Sequence, residues 1–220
     1  MSTVESLVFR NRNLALHRAS DSKATLVLLH GYGADEHDLV GLYPNLPDDL
    51  DLICVRGSGR TPYGGAAWFD IGMEPDGSLI FNEDQAVVAA QSVAELITGM
   101  VSENLLRSRK IIIGGFSQGA SIAMLTAALG INEFDGLMIL SGRMTENLAQ
   151  RLSSNSLREH FPVFAAHGVG DPVIPLSFGR AIQDFWSNQM VDFEYHEYEM
   201  GHQICMAELE HMNDWLGRFL

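Results

Sequence analysis

A serine flanked by glycines carries the clearest chemical signal of this chain. Residues 115–119 read Gly-Phe-Ser-Gln-Gly, a G-x-S-x-G pentapeptide with Ser117 at its centre. An apolar, β-branched run at 111–114 precedes it, and a helix-forming run at 120–125 follows it. This strand–turn–helix context is what a nucleophile elbow requires, because glycines beside a strained serine let neighbouring backbones approach without Cβ clashes. The pattern therefore predicts that Ser117 is a nucleophile.

Two further residues complete a set that could activate such a serine. Asp171 follows the apolar run 162–167, and His202 follows the run 193–198. Serine is a poor nucleophile at neutral pH, so a base must accept its proton, and His202 is the candidate. Asp171 would accept the other imidazole N–H, fix the tautomer and stabilise the imidazolium. We therefore expect Ser117, His202 and Asp171 to meet as a catalytic triad.

Each of these residues also has a structural interpretation. Ser117 could be a helix N-cap, Asp171 a turn residue, and His202 a cap or surface residue. Their order along the chain and their placement after strands favour the catalytic interpretation. His30 and His167 also end apolar runs, and we expect both to be structural, holding loop carbonyls beside the site.

The tetrahedral intermediate of acyl transfer needs hydrogen-bond donors for its oxyanion, each worth roughly 3–4 kcal/mol. The backbone N–H of Gln118, directly after the serine, is one expected donor. The backbone N–H of Tyr32 is the other, in the His-Gly-Tyr-Gly sequence at 30–33 that follows an apolar run. No His, Cys or carboxylate spacing resembles a metal site, so we expect neither a metal nor a cofactor.

The remaining sequence alternates strand and helix signals. The short apolar runs at 6–9 and 14–16 predict an opening β-hairpin, and segment 56–84 is expected to be irregular. Apolar runs and helical periodicity predict further strands at 25–30, 50–55, 111–114, 134–140, 162–167 and 193–198, and helices at 36–43, 85–106, 175–186 and 206–219.

Such alternation implies a mostly parallel central sheet with helices on both faces. The carboxyl ends of parallel strands converge on one edge of the sheet, and ligands bind there. The chain order Ser, then Asp, then His is that of α/β-hydrolases. We therefore expect a single α/β-hydrolase domain over residues 1–220.

Composition limits the partners and the compartment. Hydrophobic residues make up 46% of the 220, and the net charge of −14 argues against nucleic acid and against stable membrane association. Cys54 and Cys205 are too few for a disulfide framework, and neither a basic leader nor a run of about 18 apolar residues occurs. We expect a cytoplasmic protein with a small-molecule ester as its partner; a homodimer is one oligomeric state left open.

These motifs resemble the phospholipase/carboxylesterase family of serine hydrolases, which includes acyl-protein thioesterases. The resemblance runs from Ala24 to Leu220, and its Trp-Phe-Asp and Ser-Gln-Gly pieces are specific to this family. One departure is Ala120, where many relatives have a second glycine. The matching pieces are 29–35 (Leu-His-Gly-Tyr-Gly-Ala-Asp), 67–70 (Ala-Trp-Phe-Asp), 115–119, 167–168 with 171–172, and 201–202.

The resemblance implies hydrolysis of carboxylic esters with short to medium acyl chains. It also implies that segment 57–83 builds the acyl pocket, which makes Trp68 and Phe69 the expected substrate-binding residues; the apolar residues of that segment could instead be core. A thioesterase or lysophospholipase would use the same triad. A non-catalytic hydrolase-fold binding module would be expected to have lost a triad member or an oxyanion glycine, and none is missing.

Overall fold

An eight-stranded sheet runs through the part of the chain that the computed structural model describes, residues 4–75, 79–129, 134–154 and 157–220. In chain order the strands of these ranges are β1 (Glu5–Phe9), β2 (Arg12–His17), β3 (Ala24–Leu29), β4 (Leu50–Val55), β5 (Gly59–Arg60), β6 (Ala66–Ala67), β7 (Ile71–Met73), β8 (Leu79–Phe81), β9 (Lys110–Phe116), β10 (Gly136–Leu140), β11 (Phe161–Gly168) and β12 (Val191–Tyr198).

The order of strands across the large sheet is β1-β2-β4-β3-β9-β10-β11-β12. The hairpin of β1 and β2 is antiparallel, and β2 also pairs antiparallel with β4. Every pair from β4 to β12 across the sheet is parallel. The expected opening hairpin and mostly parallel sheet are therefore confirmed.

Helices cover both faces of this sheet. In β3, Val27 and Leu29 belong to one apolar cluster, whereas Leu26 and Leu28 belong to the other. Strands buried on both faces read as continuous apolar runs, which is why the sequence shows no alternation there. The first cluster takes in α1 (Glu83–Ser102), α2 (Gln118–Ala128), α3 (Glu146–Ser154) and α4 (Leu176–Ser187), and the second takes in α5 (Met206–Leu216).

The helix predicted at 36–43 is only partly present: a 3-10 helix covers Leu39–Asn45, and turns occupy residues 36–38. The Asp35 carboxylate accepts the N–H of His37 at 2.9 Å, which is a turn interaction rather than a helix cap. Pro44 lies inside the segment and cannot donate a backbone hydrogen bond, so an α-helix is disfavoured there.

Segment 56–84 holds more regular structure than its composition suggested. The strands β5 and β6 form one antiparallel pair, and β7 and β8 form another. The helix α3 was not predicted, and α1 ends at Ser102 rather than at 106, since Asn104 adopts a left-handed conformation (φ 56°). Among the described residues, no helix is long and apolar enough to span a membrane.

Candidate active site

Ser117 occupies the turn between β9 and α2 with φ 55° and ψ −117°, a backbone conformation that L-residues rarely adopt. A Cβ on Gly115 would lie 2.3 Å from the Gly119 carbonyl, and a Cβ on Gly119 would lie 2.0 Å from the Leu29 oxygen. Both glycines are therefore required by close backbone approach. The Ser117 N–H donates to the Leu140 carbonyl at 2.9 Å, which ties the strained turn to β10.

The structure brings the three predicted side chains together. His202 lies in the loop between β12 and α5, with its Nε2 2.9 Å from Ser117 Oγ and its Nδ1 2.7 Å from Asp171 Oδ2. The Phe116 ring packs against the imidazole with a centroid distance of 4.7 Å. Residues far apart in sequence thus meet at the carboxyl edge of the sheet, as expected for parallel strands.

Backbone donors orient the Asp171 carboxylate. Its Oδ1 accepts the N–H groups of Val173 and Ile174, each at 2.8 Å, which leaves Oδ2 directed at His202. An ionised carboxylate only accepts hydrogen bonds, so Nδ1 of His202 must be the protonated nitrogen. The lone pair of Nε2 then faces the hydroxyl of Ser117, which is the tautomer that a general base needs.

The loop that follows β3 is fixed from two sides. The Gly33 N–H donates to the Ala66 carbonyl at 2.8 Å, and the Ala66 N–H donates to the Ala34 carbonyl at 2.7 Å. At the end of β4, Arg56 pairs with Glu36 at 2.7 Å. This loop carries Tyr32, the first of the two predicted oxyanion donors.

Both predicted oxyanion residues line the same cavity as Ser117 and His202. Gln118 is the first residue of α2, so its backbone N–H has no intrahelical acceptor. Tyr32 lies in the loop after β3. That both residues line the cavity of Ser117 is compatible with the predicted oxyanion role of their N–H groups, which stays a prediction.

The side chain of Gln118 makes contacts that its sequence context does not predict. Its Oε1 accepts the Trp68 N–H at 2.9 Å, and its Nε2 donates to the Phe69 carbonyl at 2.8 Å. The indole N–H of Trp68 donates in turn to the His30 carbonyl at 2.8 Å. The two sequence pieces that the resemblance singled out, Ser-Gln-Gly and Trp-Phe-Asp, are therefore in direct contact. The occurrence of both pieces in one sequence was the signal that could have predicted these hydrogen bonds between them.

Trp68 and Phe69 are placed differently from one another. Both are buried, but only Phe69 is among the described residues that line the cavity beside Ser117. Trp68 packs behind the cavity wall, where its ring lies 5.3 Å from the His30 ring. The hydrogen bonds of its indole and backbone N–H groups direct Trp68 into the core, so this position favours a structural role over the predicted substrate contact.

His30 and His167 hold loop carbonyls, as expected. Nε2 of His30 accepts the Gly57 N–H at 2.9 Å, so its Nδ1 carries the proton and donates to the Gly31 carbonyl at 2.7 Å. Burial lowers the pKa of His30, which favours this neutral form. Nε2 of His167 donates to the Ile174 carbonyl at 2.8 Å and so holds the loop that orients Asp171.

The cavity above Ser117 has a volume of about 660 Å³, within the range of small-molecule sites. Among the described residues, no group of three or more His, Cys, Asp or Glu side chains is arranged to hold a metal ion. Much of the cavity wall is apolar, and this part is formed by the side chains of Phe69, Ile71, Met73, Leu79, Phe81 and Phe178.

The fold and the site together define an α/β-hydrolase. Over residues 15–219 the chain matches the phospholipase/carboxylesterase family, and it belongs to that family. It is 29% identical over 182 residues to acyl-protein thioesterase 1 of Saccharomyces cerevisiae, covering 81% of this chain and 77% of the relative. The chain is thus a carboxylesterase/acyl-protein thioesterase family enzyme, a carboxylic ester hydrolase of the serine hydrolase class.

Solved structures of carboxylesterases share the fold. The Mesorhizobium loti carboxylesterase superposes with a TM-score of 0.80 at 19% identity, covering 96% of this chain and 98% of that one. The Bacillus cereus carboxylesterase gives a TM-score of 0.79 at 21% identity and covers 96% of both chains. The α/β-hydrolase fold expected from the sequence is therefore confirmed.

Proposed function

We propose that this enzyme is a carboxylesterase that hydrolyses esters with short to medium acyl chains through Ser117, His202 and Asp171. The observation that supports it is the continuous hydrogen-bonded series from Ser117 Oγ through His202 to Asp171 at the wall of an apolar cavity. Nucleophile, base and orienting carboxylate stand at hydrogen-bonding distance, as acyl transfer requires.

In the first half-reaction, Ser117 Oγ attacks the ester carbonyl carbon while its proton passes to Nε2 of His202. Asp171 stabilises the imidazolium, and the N–H groups of Tyr32 and Gln118 bind the oxyanion. When the intermediate collapses, the carbon–oxygen bond to the alcohol breaks. His202 returns the proton to the leaving oxygen, which gives the free alcohol and an acyl-enzyme on Ser117.

In the second half-reaction, a water molecule attacks the acyl-enzyme carbonyl. His202 accepts one proton of this water, and the second tetrahedral intermediate uses the same two N–H donors. Its collapse breaks the bond to Ser117 Oγ, which takes the proton back from His202. The carboxylic acid leaves, and the enzyme returns to its starting state.

The cavity supports the proposed acyl range. Burial of apolar ligand surface contributes about 25 cal/mol per Å², so the wall around Phe69, Ile71 and Phe81 favours an acyl chain over a polar group. A volume of about 660 Å³ suits a substrate of small-molecule size.

A thioesterase is the second candidate. It is favoured by the 29% identity to a protein named acyl-protein thioesterase 1. The carbonyl chemistry is the same, because a thiolate leaves in place of an alkoxide. A lysophospholipase with the same triad is a third alternative.

The decisive experiment compares substrates and labels the nucleophile. A fluorophosphonate probe should label wild-type protein once, at Ser117, and Ser117→Ala should abolish both labelling and hydrolysis. Ser121 lines the same cavity one helical turn further along α2, so labelling that persists in Ser121→Ala is the matched control. Wild-type hydrolysis by Ser117→Ala would overturn the proposed mechanism.

A substrate panel then separates the candidates. It comprises p-nitrophenyl esters of increasing acyl length, an acyl thioester of matched length and a lysophospholipid. We expect the highest kcat/KM among the short to medium p-nitrophenyl esters. A kcat/KM at least tenfold higher for the thioester or for the lysophospholipid would replace the carboxylesterase assignment with the corresponding alternative.

A further inference from the structure

Arg143 is a cation in the cavity wall that forms no ion pair with any carboxylate in the part of the chain that the structure describes. It follows β10, the strand next to β9, and it lines the cavity together with Ser117 and His202. Its guanidinium carbon lies 3.9 Å from the centre of the Phe81 ring and 4.5 Å from that of the Phe178 ring. Two aromatic rings thus hold the group in place.

The rings do not satisfy the hydrogen-bonding capacity of this side chain. A guanidinium carries five N–H donors in its plane, and contact with aromatic rings leaves those donors unused. Among the described residues, Arg143 forms no ion pair with a carboxylate, and its Nε is buried without an acceptor. Burial lowers the pKa of Arg143, because removal from water disfavours the charged form, and the charge of Glu83 acts in the opposite direction with a smaller effect.

Other arginines of the chain are in a different situation. Arg56 pairs with Glu36, Arg107 with Asp51 and Arg180 with Glu197.

The chain has 28 acidic and only 14 Lys or Arg residues, so carboxylate partners are abundant. Arg12 also lacks a carboxylate partner among the described residues, but its guanidinium donates to the Arg56 carbonyl at 3.2 Å and to the Ser92 hydroxyl at 2.7 Å. Arg143 differs because its buried Nε has no acceptor, and this calls for an explanation, since buried polar and charged groups are normally paired.

The backbone of Arg143 is anchored close to the nucleophile. Its carbonyl accepts the hydroxyl of Ser121 at 3.1 Å, and Ser121 lies four residues after Ser117, on the same face of α2. A Cβ on Gly142 would lie 2.9 Å from the Ala120 Cβ, so the chain packs tightly against α2 at this point. The side chain of Arg143 therefore starts about one helical turn from the reacting serine.

Two acidic side chains near Arg143, Glu83 and Asp38, do not form an ion pair with it. Glu83 contributes an electrostatic interaction to Arg143, and its carboxylate accepts a hydrogen bond from the Asn147 amide. It lines an adjoining pocket of about 40 Å³ that also contacts Arg143. Asp38 is the one acidic side chain among the described residues that line the main cavity, and it is exposed.

We propose that Arg143 is a specificity-determining residue that binds an oxyanion group of the substrate, a carboxylate or a phosphate, away from the scissile ester. The enzyme then prefers esters that carry such a group over neutral esters of the same length. A planar guanidinium suits this task because its parallel N–H groups match carboxylate and phosphate oxygens in pairs. The inference rests on the proposed function, since it names the substrate class of that same site.

The test uses matched pairs of substrates in two arms. In the acyl arm, mono-p-nitrophenyl glutarate is compared with its neutral methyl ester. In the alcohol arm, 1-butyrylglycerol 3-phosphate is compared with 1-butyrylglycerol. We expect wild-type kcat/KM to be at least tenfold higher for the anionic member of one arm, and that arm identifies which side of the ester carries the oxyanion.

Variants assign this preference to Arg143. Arg143→Gln should bring the ratio of kcat/KM between the anionic and the neutral member to about one. Arg143→Lys should retain part of the preference, because the positive charge remains but the paired N–H groups of the guanidinium are lost. Arg10→Gln removes the same charge from an exposed arginine on the β1–β2 turn, and its ratio should equal that of the wild type. Equal kcat/KM for both members in both arms, or a ratio that survives Arg143→Gln, would overturn the proposal.

Competition on the wild type provides a test that does not depend on a variant folding. Free glutarate should inhibit hydrolysis of p-nitrophenyl butyrate more strongly than its neutral diamide, glutaramide, does, and added salt should weaken this difference. Equal inhibition by the two compounds counts against an anion subsite. The rate of hydrolysis of neutral esters tests the proposed function separately. If wild-type protein hydrolyses neutral esters but shows no preference for anionic ones, only this inference is wrong. If wild-type protein hydrolyses no ester and the fluorophosphonate probe does not label Ser117, the proposed function is wrong.

Discussion

Two buried aspartates lie at opposite edges of the sheet and have different partners. Asp51 belongs to the start of β4, at the edge away from the cavity, whereas Asp171 follows the carboxyl end of β11. Neither side chain is exposed to solvent. Asp51 is bound by the guanidinium groups of Arg107 and Arg18, but Asp171 is bound by backbone N–H groups and by His202.

We infer that the partner of each carboxylate, rather than its burial, distinguishes the structural role of Asp51 from the catalytic role proposed for Asp171. Arginine does not give up its proton in a protein, so the charges around Asp51 are fixed and serve to hold elements together. Histidine changes its charge near neutral pH, so the pair of Asp171 and His202 can accept a proton during a reaction. If this contrast holds, exchanging each aspartate for asparagine should damage different properties.

The largest expected effect is on turnover. Asp171→Asn should lower kcat by about 10⁴-fold, because the amide no longer holds His202 in the tautomer that presents a lone pair to Ser117. Hydrolysis of p-nitrophenyl butyrate measures the rate, and urea denaturation checks that the variant is folded. A folded variant with turnover within tenfold of the wild type would show that Asp171 does not belong to the catalytic machinery.

The matching exchange at the other edge should affect stability instead. Asp51→Asn leaves the charges of Arg107 and Arg18 without their buried counterion, and breaking such pairs typically costs about 3–5 kcal/mol. We expect the free energy of unfolding in urea to fall by that order, with kcat of the folded variant close to wild type. If Asp51→Asn were as stable as the wild type but had a kcat about 10³-fold lower, the proposed difference between the two aspartates would be wrong.

The contribution of Asp51 should also depend on pH. Burial raises the pKa of this carboxyl. The hydrogen bond and charge of Arg107, the Ala19 N–H and the charge of Arg18 lower the pKa, and together they outweigh burial, so the net shift is downward. A group whose pKa is lower in the folded state stabilises the fold above its unfolded pKa of about 4, and loses this effect as pH falls through the folded value.

Unfolding in urea at pH 7, 5 and 3 measures this dependence. The difference in unfolding free energy between wild type and Asp51→Asn should be the same at pH 7 and 5 and smaller at pH 3. A difference that stays constant down to pH 3 would mean that the ionised form of Asp51 is not what stabilises the fold.

Much of the site could be predicted because the chemistry sits at strand ends. Apolar runs located β3, β9 and β11, and the segment 193–198 located β12; parallel pairing then brings the residues after these strands to one edge. This is why order and context alone predicted that Ser117, Asp171 and His202 would meet. Positions 115 and 119 have no space for a Cβ atom, so both must be glycine, and this requirement makes the turn recognisable in the sequence.

What could not be predicted depends on contacts between distant segments. Segment 56–84 has no strong periodicity, since β5 to β8 are only two or three residues long. The orientations of Trp68 and Phe69 follow from hydrogen bonds to Gln118 and His30, which no local pattern encodes. Arg143 was missed because an arginine after a strand is unremarkable until the absence of a carboxylate partner among the described residues is seen.

The smallest expected effect concerns two adjacent aromatic residues, one in the cavity wall and one in the core. Phe69→Ala should change the ratio of kcat/KM between short and longer p-nitrophenyl esters by about tenfold, which corresponds to roughly 1.4 kcal/mol or about two methylenes of burial. The physical reason is that Phe69 lines the cavity beside Ser117, so we expect it to contact the acyl chain of the proposed substrate.

Trp68→Ala is the matched variant for that experiment. Its indole is buried and donates to the His30 carbonyl, so truncation should cost about 3–5 kcal/mol of stability while leaving the chain-length ratio of the folded enzyme unchanged. Thermal unfolding and the ester panel are measured on both variants. A shifted ratio in Trp68→Ala with an unshifted ratio in Phe69→Ala would reverse the assignment, because the residue that selects the acyl chain would then be the one that the structure places behind the wall.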